Sequence, residues 1–139
     1  MTMYQAELIK LSNDERFQQA LPAVSGKALL RSPLCGDRVE IEVALDANRV
    51  ADVARHVKGC VLCKAAATLA CQYGQGKDLA AASEILETVS KVLKDGTAVP
   101  AEFGELRVFE PVREHASRHG CVLLPFRAIV EAIGSVSRR

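Results

Sequence analysis

RVEIEVALDANRVADVARHVKGC, residues 38–60, turns an alternating run back on itself and ends on a cysteine. Val39, Ile41, Val43 and Leu45 alternate with Glu40, Glu42 and Ala44, the period of a strand with one apolar face and one wet face. Asp46-Ala47-Asn48 follows with turn residues, so the chain folds back as a hairpin. Arg49 to Lys58 reads as the returning strand, although Val50, Val53 and Val57 fit a helical period nearly as well. With Lys27 to Arg31 pairing ahead of the hairpin, the expectation is a small three-stranded antiparallel sheet.

Outward from this hairpin the pattern becomes helical. Val61 to Tyr73 is rich in Ala, Leu and Cys, a helix-forming composition that puts Cys60 at the helix amino terminus. There the helix dipole and unpaired amides favour the thiolate, the form that binds metal and attacks sulfur. A second helix runs from the capping residue Asp78 to Lys94, with Leu79, Ala82, Leu86, Val89 and Leu93 as its stripe and Gly96 as its stop. Before the sheet, Tyr4, Leu8 and Leu11 mark a short amphipathic helix joined on through Pro22 and Gly26. After Pro100 and Gly104, a segment from Glu105 to Arg118 leads to a last helix that Cys121 opens, with Pro125 expected in its first turn. The class is α+β: a three-stranded antiparallel sheet packed against a cluster of helices, in one domain over residues 1–139.

At 139 residues and 49% hydrophobic content the chain can bury a core without cross-links. Aromatics at 4%, no Trp and a net charge of +1 supply neither a base-stacking platform nor an electrostatic footprint, which argues against nucleic acid as a partner. Charges interrupting the apolar runs, and an amino terminus without a leader pattern, point to a cytoplasmic protein with no membrane partner. Five cysteines in a reducing compartment are buried, ligating or reactive rather than cross-linked. Cys71, mid-helix among Ala and Leu, reads as a core residue.

Cys35, Cys60 and Cys121 lie too far apart for a local zinc finger, so only folding could assemble them. Asp37, two positions after Cys35, would complete a tetrahedral set of three sulfurs and one oxygen. Cys35-Gly36-Asp37 before an alternating strand, Gly59-Cys60 opening an Ala-rich helix, Gly76-Lys77 beyond it and Cys121 at the last helix together resemble the U-type iron-sulfur scaffolds. The long interval from Cys60 to Cys121, with Val112 and Arg118 ahead of Cys121, is most similar to the SufU branch of the NifU N-terminal, IscU and SufU group.

This resemblance implies a SufE/NifU-like α+β domain that accepts sulfur from a cysteine desulfurase. Such a domain assembles a labile [2Fe-2S] cluster and transfers it to recipient apo iron-sulfur proteins or carriers, or else holds Zn2+ and relays persulfide. It acts as a scaffold or sulfur acceptor rather than as an enzyme in the ordinary sense. The implied ligands are Cys35, Asp37, Cys60 and Cys121, with Cys121 ranked first and Cys60 second as persulfide acceptor. The chain departs from the family in carrying Gly120 where IscU has His, so that an imidazole would have to come from His119. It also carries Cys63 at a serine place, a possible fourth sulfur one helical turn from Cys60, and lacks the Leu-Pro-Pro-Val-Lys chaperone motif. Two other readings stay open: a thiol-disulfide oxidoreductase built on Cys60-Val61-Leu62-Cys63, and a structural zinc protein.

Overall fold

The computed structural model describes residues 4–33 and 36–137, so Cys35 lies outside the described residues. Strands β1 (Gly26–Arg31), β2 (Arg38–Asp46) and β3 (Arg49–Lys58) form an antiparallel sheet in the order β1-β2-β3. The alternation in β2 is realised directly, with Val39, Ile41 and Val43 fully buried. Glu40 and Glu42 are half-buried rather than freely solvated, and lie 3.9 Å from Lys27 and 3.8 Å from His56 respectively.

The helical period of β3 has a structural cause. Leu45 pairs with Val50 and Ala44 with Asp52, so Ala51 is an extra residue in the ladder. That bulge flips the phase of the strand, and Val50 and Val53, three apart, both face the core. The β2–β3 turn has Ala47 and Asn48 at φ 51° and 64°, the left-handed pair that a tight two-residue hairpin requires. The outer edge of β3 is covered by the preceding loop, where the Arg55 amide donates to the Phe17 carbonyl at 2.7 Å.

Of the helices α1 (Gln5–Ser12), α2 (Val61–Gly74), α3 (Leu79–Lys94) and α4 (His119–Ser137), α2 and α4 cover one face of the sheet, while α1 packs on α2 and α3 on α4. Both α2 and α4 contribute to two apolar clusters, one against the sheet through Cys71, Ile129 and Ile133 and one against α1 and α3 through Leu69, Val122 and Phe126. Thr68 ties α1 to α2 by donating its hydroxyl to the Leu11 carbonyl at 2.7 Å. Asp78 caps α3 as expected, accepting from the Ala81 amide at 2.9 Å. The buried stripe of α3 is rotated from expectation toward Ile85 and Val92, leaving Leu79 exposed.

Two further expectations are corrected. Residues 101–118, which have no clear sequence period, form 3-10 turns over Ala101–Glu114 and Ala116–Arg118, with a break at Phe103. They lead without a loop into α4, which therefore begins at His119, and Pro125 is its seventh residue rather than part of the first turn. Pro125 supplies no amide to the helix ladder, and packing on both sides of α4 offsets that loss. The chain over 116–136 is also longer and more apolar than the charge pattern implied, enough by length and composition to span a membrane. More than half of it is buried here against α2, α3, β1 and β2, as befits the central helix of the domain. Its close seating needs Gly26, where a Cβ would collide with the Ala132 carbonyl, whereas a Cβ on Gly74 would meet only the movable end of the Ile129 side chain.

Candidate metal centre

The register of the hairpin builds half of the site. Because Arg38 pairs with Lys58, the residue before β2 and the residues after β3 emerge side by side. These are Asp37 and Gly59-Cys60. Cys60 is the N-cap of α2, in extended backbone, and Cys121 arrives from the first turn of α4. The ligand atoms of Asp37, Cys60 and Cys121 all lie within 4.8 Å of one another.

Asp37 is only 4% exposed and Cys121 1%, whereas Cys60 is partly exposed. The Asp37 carboxylate accepts from the Cys60 amide at 3.3 Å and from the Cys60 thiol at 3.6 Å. Among the described residues it has no salt bridge. A buried carboxylate is favoured by a cation or by hydrogen-bond donors, and the two Cys60 donors supply part of that. A metal ion would supply the cation, and the spacing suits one. For tetrahedral zinc, bond lengths of about 2.3 Å to sulfur and about 2.0 Å to oxygen imply a sulfur–oxygen edge of about 3.5 Å. The distance from Cys60 Sγ to Asp37 Oδ2 is 3.6 Å.

Gly59 is part of this construction. A Cβ built on it would lie 2.9 Å from both Cγ and Oδ1 of Asp37, so only a glycine lets the carboxylate lie against this backbone. The sequence shows Gly59 as a helix-start residue and gives no sign of this contact.

The remaining candidates are distributed as follows. Cys63 is fully buried in the sheet-side cluster, which it shares with Cys121, and is outside the three-residue set. His119 is outside it too: its Nε2 lies 3.0 Å and 3.1 Å from the carbonyls of Val112 and Arg113, acceptors that call for an N–H at that nitrogen. His115 and Arg118 line a cavity of about 300 Å³ with Leu62, Val112 and Ser117. Cys71 is a core thiol as expected, and burial pushes its pKa up to about 12.

One charged residue was missed. Arg55 faces the core from the middle of β3 and is only 3% exposed. It donates to the Asp14 carbonyl at 3.0 Å, while its Nε is buried without a hydrogen-bond partner. Burial lowers its pKa, and interaction with Cys71, Asp14 and Cys63 opposes that shift. The sequence signal was the alternation Val53-Arg55-Val57, in which an arginine occupies an inward position.

A three-stranded antiparallel sheet with one face under helices, and a thiol and carboxylate cluster where hairpin and helix starts meet, defines a class of small α+β domains with a candidate metal centre. The chain belongs to the NifU-like N-terminal domain family, whose model matches residues 3–115. It is 24% identical over 105 residues to the zinc-dependent sulfurtransferase SufU of Bacillus subtilis, spanning 75% of this chain and 71% of that protein. It is 28% identical over 106 residues to the iron-sulfur cluster assembly scaffold protein IscU of Streptococcus pyogenes, spanning 75% of this chain and 66% of that protein. In structure it resembles a NifU-like N-terminal protein from Brucella abortus, with a TM-score of 0.89 at 24% identity over 98% of this chain and 95% of the other. A scaffold protein for the SUF system from Fervidobacterium islandicum gives a TM-score of 0.83 at 19% identity, with 96% of each chain covered. The expected α+β fold and family are therefore both found.

Proposed function

We propose that this protein is a U-type iron-sulfur assembly scaffold, in which Cys35, Asp37, Cys60 and Cys121 hold a labile [2Fe-2S] cluster built with sulfur from a cysteine desulfurase. The observation that carries this reading is the convergence of Asp37, Cys60 and Cys121, from three separate elements, to within 4.8 Å. Thiolates bind iron tightly, whereas the Asp37 carboxylate is a harder and weaker partner for an iron-sulfur unit. One oxygen ligand therefore leaves an edge at which the cluster can exchange, and recipient apoproteins or carriers can take it.

For sulfur acceptance the sequence ranks Cys121 and then Cys60. Cys121 is the first candidate by sequence, and its 1% exposure makes it the inner thiol, while partial exposure favours Cys60 as the one an incoming persulfide meets first. Transfer between them needs no large movement when their sulfurs already lie within 4.8 Å. A second reading is a zinc-dependent persulfide relay on the same residues. It is supported by the near-tetrahedral Cys60–Asp37 edge and by the similarity to a protein named a zinc-dependent sulfurtransferase.

The test is elemental analysis with an absorption spectrum on protein purified without oxygen. Iron and acid-labile sulfide in equal amounts, with broad visible absorption, support the scaffold. About one zinc per chain and no colour support the relay. A protein that takes up neither metal, and loses nothing when Asp37 and Cys60 are replaced, refutes both.

A further inference from the structure

The sulfur that a desulfurase delivers is sulfane sulfur, whereas a cluster contains sulfide, so each atom needs two electrons before it can bridge iron. We infer that Cys63 supplies these electrons together with Cys60, as a resolving thiol that converts a Cys60 persulfide into sulfide. This rests on the reading of Cys60 as a sulfur acceptor and extends it to an activity of the neighbouring thiol.

The geometry is that of a helix start. Cys60 is the N-cap of α2 and Cys63 is the third residue of the helix. Helical rise and radius set Cα atoms three residues apart at about 5 Å. That falls inside the range of about 4.4–6.8 Å that a disulfide requires. The Cys60 thiol rests on Asp37 Oδ2 at 3.6 Å and makes no bond to the helix amides, so a rotamer change about its Cα–Cβ bond is what turns it toward Cys63. The two thiols differ as such a pair should, with Cys60 partly exposed to an incoming donor and Cys63 buried behind it.

A second observation falls on the same thiol. The guanidinium of Arg55, 3% exposed and with an unpartnered Nε, interacts electrostatically with Cys63 and Cys71. Cys71 is held protonated by its burial, with a pKa of about 12. Arg55, buried on the core face of β3, is a positive charge on the side of the sheet where Cys63 packs, suited to stabilising the negative charge that sulfur carries as it attacks.

In the step itself, Cys63 Sγ attacks Cys60 Sγ, the inner sulfur of the persulfide. The Cys60–Cys63 bond forms, the persulfide sulfur–sulfur bond breaks, and the outer sulfur leaves as hydrosulfide with the proton given up by Cys63. Both cysteine sulfurs are oxidised by one electron and the sulfane sulfur is reduced by two. A dithiol reductant resets the pair by exchange, returning two thiols and leaving as its own disulfide.

The experiment loads the full-length protein anaerobically with inorganic polysulfide, removes the excess, and follows sulfide release without added reductant in wild type and Cys63→Ser. Trypsin cuts after Lys58 and Lys64, so Gly59–Lys64 carries both cysteines in one peptide for mass analysis. The wild type is expected to release about one sulfide per Cys60 persulfide and to yield that peptide as an internal disulfide. Cys63→Ser should retain the persulfide at least about tenfold longer, and Cys63→Ala gives the same readout if the serine variant folds poorly. Equal persulfide lifetimes in wild type and variant, a disulfide joining Cys60 to a different cysteine, or no persulfide at Cys60 would each overturn the inference. Zinc and iron binding measured on the same samples reads the metal site separately, so its failure is distinguishable from failure of the thiol pair.

Discussion

Replacing Gly59 with Ala tests whether the Asp37 carboxylate is held by backbone contact. The new Cβ would lie 2.9 Å from Cγ and Oδ1 of Asp37 and 3.3 Å from its Cβ. The backbone at Gly59 has no positive φ, so alanine is tolerated there and the strain falls on the carboxylate. Relief requires Asp37 to move by several tenths of an ångström, away from the Cys60 amide it accepts from at 3.3 Å. Overpacking of this kind costs about 1–3 kcal/mol of stability. A displaced ligand or its support typically costs about 10–100-fold in metal affinity, equivalent to about 1.4–2.8 kcal/mol. Zinc affinity is measured by competition with a chromophoric chelator in wild type, Gly59→Ala, Asp37→Ala and the double variant, with thermal melts as the control for folding. The Gly59→Ala loss should be large with Asp37 present and small without it, because one acts through the other. Wild-type affinity in Gly59→Ala, or an equal loss in the Asp37→Ala background, would refute the reasoning.

Three other outcomes are expected. In Asp37→Ala, a reconstituted cluster should outlast the wild-type cluster under chelator challenge, followed by visible absorbance; equal decay rates would show that the oxygen ligand is not the source of lability. Ala47→Gly removes the cost of a non-glycine residue at φ 51° in the hairpin turn and should raise unfolding free energy in urea by up to about 1 kcal/mol. A loss of stability would mean that the left-handed turn is not strained. Cys71 should produce alkaline destabilisation: its pKa rises from the ordinary 9.0 to about 12 on folding, so the folded state holds a proton that the unfolded state releases. Stability from this group is intact below about pH 9 and falls above it by at most about 1.4 kcal/mol per pH unit. Cys71→Ala should flatten that part of the urea-midpoint profile, and an unchanged slope would place the effect elsewhere.

The hairpin and the helices α2 and α3 were legible because their patterns are local. Alternation in β2, Ala-rich composition in α2 and an Asp cap before α3 each depend on neighbours within a few residues. The ambiguity of β3 had a tertiary origin, since the extra residue Ala51 makes sense only against its partner strand. The start of α4 was hidden because 3-10 turns run straight into it without a break. Arg55 was not singled out because nothing local marks a lone charge in a strand as buried, and its burial depends on the covering loop at Asp14 and Phe17.

By itself the sequence determined the fold class, the positions of the thiols on the elements and the kinship with a sulfur-handling family, because these follow from local periodicity and from residue types at given places. Which groups meet was decided by tertiary structure. Strand register brings Asp37 beside Cys60, the path of α4 brings Cys121 to both, and the same packing turns His119 toward the carbonyls of Val112 and Arg113. Distances between groups far apart in the chain are set by packing, and no period along the chain encodes them.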